Sequence, residues 1–398
     1  MGKMLLQLSL LGYTVFMEPL NILFIEPFYG GSHKAFADGF AHYSNHKVQL
    51  FTLPARFWKW RMRGAALEAV RSIPEPSRFD LVCAAAMLSL ADLKALWGTS
   101  CPPLIAYFHE NQLNYPLAPG ETRDFHYGFT DITTGLAADR IIFNSHYHKQ
   151  AFFDELPRFI RPMPDTRPTW AIEALRGKST VIYPGIEVFQ ENDSVFPRKN
   201  AKIDFSNTLP ADSPHRKGPL ILWNHRWEHD KNPESFFHTL FSLAAEGLPF
   251  RLAVAGEHFT RYPEVFSKAR TLLSERIVHF GYIENRSDYY ALLHHADIVV
   301  STAYQENFGL SIAEAVAAGC VPLLPQRLSY PELIPSEYHS ACLYKSEEDL
   351  TKRLRGLITD GVHSYPALRD AMKSFSWSVV SSQFDELCAQ HVPTHGWG

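Results

Sequence analysis

The chain has 398 residues, 46% of them apolar and 20% charged, which suits about two to three globular domains and excludes a disordered or low-complexity protein. A formal net charge of −4 excludes a protein that is basic all over, so a nucleic-acid partner requires a local cationic patch. Five scattered cysteines, none in a C-x-x-C pair, exclude a disulfide framework and a zinc ribbon and favour a reducing compartment.

In chain order, the apolar run from Met4 to Met17 is shorter than the about 20 residues a membrane helix needs, and Gln7, Ser9 and Gly12 interrupt it. Residues 1–20 are expected to be a leader outside the fold, with a poorly ordered end. Apolar runs follow at Asn21–Glu26, Lys47–Leu53, Phe79–Ala84, Leu104–Glu110, Arg140–Ser145 and Thr180–Pro184. Unbroken apolar character marks strands covered on both faces, and alternation with helix-length segments marks βαβ units in a parallel sheet. Residues 187–218 are polar and without periodicity, as an interdomain linker would be. The alternation restarts at Leu220–Trp223, Arg251–Ala255, Ile277–Ile283, Ile298–Thr302 and Val321–Leu324. The expected architecture is α/β, with doubly wound Rossmann-like domains at 21–186 and 219–375 facing across a cleft. Ligands of such sheets sit beyond the carboxyl ends of the strands.

Several stretches carry chemistry. RFWKWRMRG gathers Arg56, Trp58, Lys59, Trp60, Arg61 and Arg63. Cations interleaved with rings suit phosphates and unstacked bases, and equally suit a strand-to-helix corner whose rings are core. Gly30 and Gly31 follow the first strand, where absent side chains either admit a ligand to the backbone or satisfy a turn. Arg226 and Lys231 lie between a strand and a helix opening at about Asn232–Pro233, and together can cradle a diphosphate or form an exposed salt-bridged loop. His225 and His229 have helix-type ligand spacing but fall in a loop without a third ligand. Glu306 stands on the loop before a helix that Gly309 begins, and Glu314 lies eight residues on. A carboxylate there can accept hydrogen bonds from sugar hydroxyls. The amides of Asn307, Phe308, Gly309 and Leu310 can donate to phosphate, and Glu314 can hold a ribose diol. The plainer alternative is a Glu favouring the helix dipole plus a surface Glu.

Gly30–Gly31, Arg226, Lys231 and Glu306-x7-Glu314 together resemble the retaining GT-B glycosyltransferases that use nucleotide sugars. The resemblance covers essentially the whole chain and implies a helix in 376–398 that crosses back to the first domain. It also implies a nucleotide base against the backbone near Tyr282 and Ile283. It places His109, in AYFHENQLNYP, and Glu306 as catalytic residues, with Asn111 near the acceptor. No Asp-x-Asp occurs, so no metal and no cofactor is expected, the cations and helix amides neutralising the diphosphate instead.

The wording IEPFYGGSHK, TLPARFWKWRMRGAAL, YFHENQLNYP, RDFHYGF, HRWEHDKNPESFF and ENFGLSIAEAV is narrower, and is similar to the tRNA-queuosine mannosyltransferases. That resemblance implies GDP-mannose as donor and the queuosine of tRNA-Asp as acceptor, in the cytoplasm, with no stable membrane association. It assigns the basic, aromatic stretch to the tRNA. The rival readings are a transferase acting on a lipid or polysaccharide acceptor at a membrane surface, and a non-catalytic RNA- or sugar-nucleotide-binding protein.

Overall fold

The structure is a computed structural model that describes residues 6–10, 13–116, 120, 122–188, 202–205, 208–257 and 262–392, with side chains from residue 18 onward. The chain forms two compact units, Met1–Gly185 with Phe375–Gly398, and Ile186–Ser374.

The first unit begins with an antiparallel ribbon of β1 (Leu6–Leu10) and β2 (Tyr13–Met17). The β-branched and aromatic run YTVFM favours extended chain and pairs with the apolar run before it, so the stretch expected as a leader contains two paired strands. Then come β3 (Asn21–Tyr29), α1 (Gly31–Tyr43), β4 (Lys47–Pro54), α2 (Trp58–Ser72), β5 (Leu81–Ala85), α3 (Leu90–Trp97) and β6 (Leu104–Phe108). After them are α4 (Phe125–Ala137), β7 (Arg140–Phe143), α5 (His146–Ile160), α6 (Trp170–Arg176) and β8 (Ser179–Val181). The six strands β3 to β8 pair in parallel in the order β4-β3-β5-β6-β7-β8.

Both faces of this sheet are buried, and successive residues divide between them. Leu23 and Ile25 pack with Ala65, Ala69 and Leu90, while Ile22 and Phe24 pack with Phe36 and Phe40 of α1. That is the physical cause of the unbroken apolar runs.

The second unit contains β9 (Leu220–Trp223), α7 (Pro233–Ala245), β10 (Arg251–Ala255), α8 (Val265–Leu272), β11 (Ile277–Gly281), α9 (Arg286–His295) and β12 (Ile298–Val300). It continues with α10 (Leu310–Ala318), β13 (Val321–Pro325), α11 (Tyr330–Leu333), α12 (His339–Cys342), β14 (Leu343–Tyr344), α13 (Glu347–Thr359) and α14 (Pro366–Ala371). Its sheet is again six-stranded and parallel, in the order β11-β10-β9-β12-β13-β14. Renumbered within the unit this is 3-2-1-4-5-6, the Rossmann order. β14 has only two residues, too few to carry a strand pattern in sequence.

The last helix, α15 (Trp377–His391), belongs to the first unit and covers the α1 face of its sheet through Trp377, Val380, Phe384 and Cys388. Trp377 lies so close to two glycines that a Cβ on Gly39 would stand 2.1 Å from its ring, and one on Gly185 2.2 Å. Buried Asp385 fixes the turn after α1, accepting from Ser44 Oγ at 2.6 Å and from Asn45 N at 2.8 Å. Among the described residues no helix is long and apolar enough to cross a membrane.

Candidate active site

In the second unit the strand order reverses between β9 and β12, and the loops leaving their carboxyl ends flank that switch point. Open α/β sheets bind ligands there. The first loop carries Arg226 and Lys231, the second Glu306. Asn232, in the left-handed region at φ 49, caps α7 by accepting from Ser235 N, and Pro233 takes the first helical position. Thr302 Oγ1 donates to the carbonyls of Lys231 and Asn232 at 3.0 and 2.8 Å, tying the two loops together.

Lys231 is 7% exposed. Its Nζ donates to the Gln305 carbonyl at 2.7 Å and lies 3.1 Å from Asp230 Oδ2 and 3.4 Å from Glu306 Oε2. Burial alone lowers its pKa, but the Glu306 and Asp230 carboxylates outweigh it and raise the value above that of a free lysine. The site therefore holds a permanent cation between two carboxylates. Arg226 is half-buried, with Glu228 at 3.1 Å.

Gly309, at φ 92, caps α10; a residue with a Cβ would be strained there and would meet Tyr330 at 3.3 Å. Its N–H donates to Glu306 Oε1 at 3.1 Å, so Glu306 bridges Lys231 and the helix start. The Asn307 and Phe308 side chains are buried, and that of Leu310 is half-buried. Glu314 is 5% exposed and accepts from Arg286 at 2.9 Å and from the Tyr290 hydroxyl at 3.3 Å. It is thus a held carboxylate within α10 rather than the surface Glu of the plainer reading. Arg286, which sequence reasoning passed over, is its partner. Tyr282 follows β11 with its ring 58% exposed, and Ile283 is half-buried beside it.

In the first unit three residues converge on the α1 face of the sheet. Glu26 follows Phe24 by two positions on β3, and His109 follows Tyr107 by two beyond β6. Strand parity therefore puts both side chains on the face where Phe24 and Tyr107 pack, beside His33 of α1. Glu26 is fully buried, accepts from Phe28 N at 2.9 Å, and meets His33 Nδ1 at 3.1 Å and His109 Nε2 at 3.5 Å. The two imidazoles lie 4.0 Å apart, centre to centre. Burial raises the Glu26 pKa, but the His33 charge and the contacts of both histidines outweigh it and hold the carboxyl at about 2. Burial first, and the His33 charge second, bring His109 down to about 4 despite Glu26. At neutral pH an ionised carboxylate thus faces a neutral His109. An ionised carboxylate only accepts, so His33 donates to it from Nδ1.

These three are also the one group of metal-ligand type among the described residues, their ligating atoms all within 4.8 Å. His225 is buried and His229 exposed, and neither joins such a group. Glu26 and His33 were not singled out from sequence. The available signal was a lone carboxylate ending an otherwise apolar strand, NILFIE.

Gly30 is extended; a Cβ there would stand 2.5 Å from Ala55 Cβ, so packing alone demands glycine. Gly31 is left-handed at φ 50. Asn111, expected near the acceptor, lies in the loop after β6. It is 1% exposed, and its Oδ1 accepts from Leu113 N at 3.0 Å and Asn114 N at 3.2 Å, shaping its own loop.

The basic, aromatic stretch begins α2. Met62, Ala65, Ala66 and Ala69 form the buried stripe, whereas Phe57 is 70% and Trp60 78% exposed. Most of its ring surface is therefore not core. Trp58 is half-buried against Tyr127 at 5.0 Å, and Arg56, Lys59 and Arg63 are exposed. Arg61 is half-buried, donating to the Pro54 carbonyl at 3.4 Å.

Comparison with known proteins follows this division. Residues 206–375 match the model of the group 1 glycosyl transferases, and residues 21–186 the model for the N-terminal part of tRNA-queuosine alpha-mannosyltransferase. Sucrose-phosphate synthase from Thermosynechococcus elongatus superposes with a TM-score of 0.68 at 16% identity, covering 93% of this chain and 98% of that one. A glycosyltransferase from Rickettsia africae gives 0.65 at 16% identity, covering 95% and 100%. The chain is an α/β glycosyltransferase of the GT-B class, built on two parallel six-stranded sheets. The tRNA-queuosine alpha-mannosyltransferase of Drosophila melanogaster is 37% identical over 337 residues, 84% of this chain and 86% of that protein. The chain belongs to the tRNA-queuosine alpha-mannosyltransferase family.

Proposed function

We propose that the protein transfers mannose from GDP-mannose to queuosine in the anticodon of tRNA-Asp, with retention of anomeric configuration and without a metal, in the cytoplasm. The observation that carries this is the match of residues 21–186 to the N-terminal model of the tRNA-queuosine enzymes, because that half supplies the acceptor side of the reading. The donor is assigned to the second unit. Its diphosphate sits at the β9–β12 switch point, where Lys231, Arg226 and the amides opening α10 meet the negative charge that grows on the leaving group. To receive it, Lys231 exchanges part of its contact with Asp230 and Glu306 for phosphate oxygens. Tyr282 and Ile283 flank the base, and Glu314, steadied by Arg286, faces the ribose.

In the transfer, the bond between mannose C1 and the diphosphate oxygen breaks. A hydroxyl oxygen of the queuosine cyclopentenediol bonds to C1 on the same face, and its proton passes to the departing diphosphate. In the second unit Glu306 orients the sugar hydroxyls; in the first unit His109 is the neutral polar group of the acceptor side, and the cations and rings of Arg56–Arg63 hold the RNA.

The test is incubation with labelled GDP-mannose and queuosine-containing tRNA-Asp, followed by nucleoside mass analysis and product NMR. A mannosylated queuosine in the same anomeric series as the donor is expected. Unmodified queuosine, with label instead entering lipid, would replace this reading by the membrane-surface one.

A further inference from the structure

The residues that open α4 form an exposed aromatic surface that the transfer reaction does not use. Phe125 is 51% and Phe129 39% exposed. They stand one helical turn apart, on one side of α4, and both rings rest on that of Phe159, at 5.6 and 5.1 Å. Gly128 between them lies so close to Phe159 that a Cβ there would stand 2.5 Å from its ring, which presses this turn of the helix onto a buried support. The two exposed rings are thus held in place and lose little freedom on contact with a ligand.

Tyr127, on the same turn, touches Trp58 at 5.0 Å, so the first turns of α4 and α2 adjoin. Arg63 also acts electrostatically on the Tyr127 hydroxyl, together with Asp124. Beyond Trp58 come the exposed rings of Phe57 and Trp60 and the exposed cations Arg56, Lys59 and Arg63. Phe57 adopts φ 55, a left-handed conformation that a bulky residue rarely takes, and its ring points to water. One further feature favours an anion at the α2 side, where that helix presents its positive end; at the start of α4 the Asp124 carboxylate takes that place, capping His126 N at 2.9 Å, and leaves stacking as the contribution of the rings.

We infer that the N-terminus of α4 is a second base-stacking site for single-stranded RNA, continuous with the α2 corner through the Trp58–Tyr127 contact. This rests on the tRNA reading above and extends it: the surface receives unpaired nucleotides flanking the modified one. Aromatic faces supply stacking without sequence preference, and the α2 cations supply the phosphate contacts.

The experiment uses the full chain with fluorescein-labelled, queuosine-containing tRNA-Asp, and reads affinity across a salt series alongside melting temperature. Phe125→Ala and Phe129→Ala are each expected to weaken binding about tenfold. The salt slope should stay unchanged, because lost stacking releases few counterions. Phe125→Trp restores binding, and because Phe125 is half exposed its alanine variant melts with the wild type. If Phe125→Ala binds RNA like the wild type while Trp60→Ala does not, the α4 site is refuted and the tRNA reading stands. If the unaltered protein fails to retain tRNA at all, the tRNA reading itself falls, and the inference with it. Loss of binding to anionic phosphatidylserine vesicles in both phenylalanine variants, with tRNA affinity unchanged, would reassign the surface to lipid.

Discussion

His109→Asn gives the sharpest check on the chemistry read from the first unit. Native His109 is neutral down to about 4, whereas an unfolded histidine takes up its proton near 6.5. Because its folded value is depressed, the stability it brings is complete above pH 6.5. It drains away as pH falls towards 4, since only the unfolded chain gains a proton in that window. With a limiting slope of about 1.4 kcal/mol per pH unit, the fall from 6.5 to 4.5 costs the wild type about 2 kcal/mol through this residue alone.

Asparagine removes the titration while retaining a polar group beside Glu26. Its cost at pH 7, from lost contact with His33, Phe36 and Tyr107, is a constant that the comparison subtracts. The assay is the urea midpoint at half-unit steps from pH 7.5 to 4.5, above the range where Glu26, held at about 2, begins to protonate. Buried His148, brought down to about 3 chiefly by burial and further by the charge of His109, keeps the burial part of its acid sensitivity in the variant, so the difference between the two curves includes the small His109–His148 repulsion as well. The wild-type curve should fall faster than the variant's, with a limiting difference of about 1.4 kcal/mol per unit. Parallel curves would show that His109 is already protonated in the native state, and the neutral-imidazole account would be lost.

Glu306→Gln should abolish mannosyl transfer with little change in melting, since its carboxylate is partly exposed. Lys231→Ala should abolish transfer and also cost about 3–5 kcal/mol, because Asp230 and Glu306 are left without their buried cation; a denaturant titration that finds no loss would overturn the burial argument. Transfer should persist in excess EDTA, the diphosphate being neutralised by side chains and amides. Loss restored by added Mn²⁺ or Zn²⁺ would instead direct attention to the Glu26–His33–His109 group. Removing Arg61 and Arg63 together should lower the slope of log affinity against log salt by about two units at most, leaving GDP-mannose binding unchanged. Trp60→Ala should weaken tRNA binding without lowering the melting temperature, as its ring is 78% exposed.

How far the sequence could be read depended on whether the controlling contacts were local. Strands buried on both faces announce themselves as apolar runs, so eleven of the interior strands were placed, some with ends a few residues off. β14 escaped because two residues carry no period. The stripe of Met62, Ala65, Ala66 and Ala69 has helical spacing, and read backwards it already turns Trp60 away from the core. At Asn111 an Asx turn and a ligand contact call for the same side chain, so the residue type does not separate the two. The Lys231–Glu306 pair is 75 residues apart in sequence and meets only because β9 and β12 are sheet neighbours. Glu26 and His109 share a face across the intervening β5 by parity, which the strand order alone makes meaningful.

The placement of α15 has a consequence for the order of folding. The first unit lacks one wall of its core until Trp377 arrives to fill the gap beside Gly39 and Gly185, and the entire second unit is synthesised in between. At roughly 5–20 residues per second, the nascent first sheet waits about 10–40 seconds with Phe36, Phe40 and Tyr107 lacking their cover. The second unit, contiguous in sequence, can finish first. A released chain truncated just before Trp377 would therefore contain the whole second unit and an unfinished first unit, which makes the emerging N-terminal half the one that needs a chaperone.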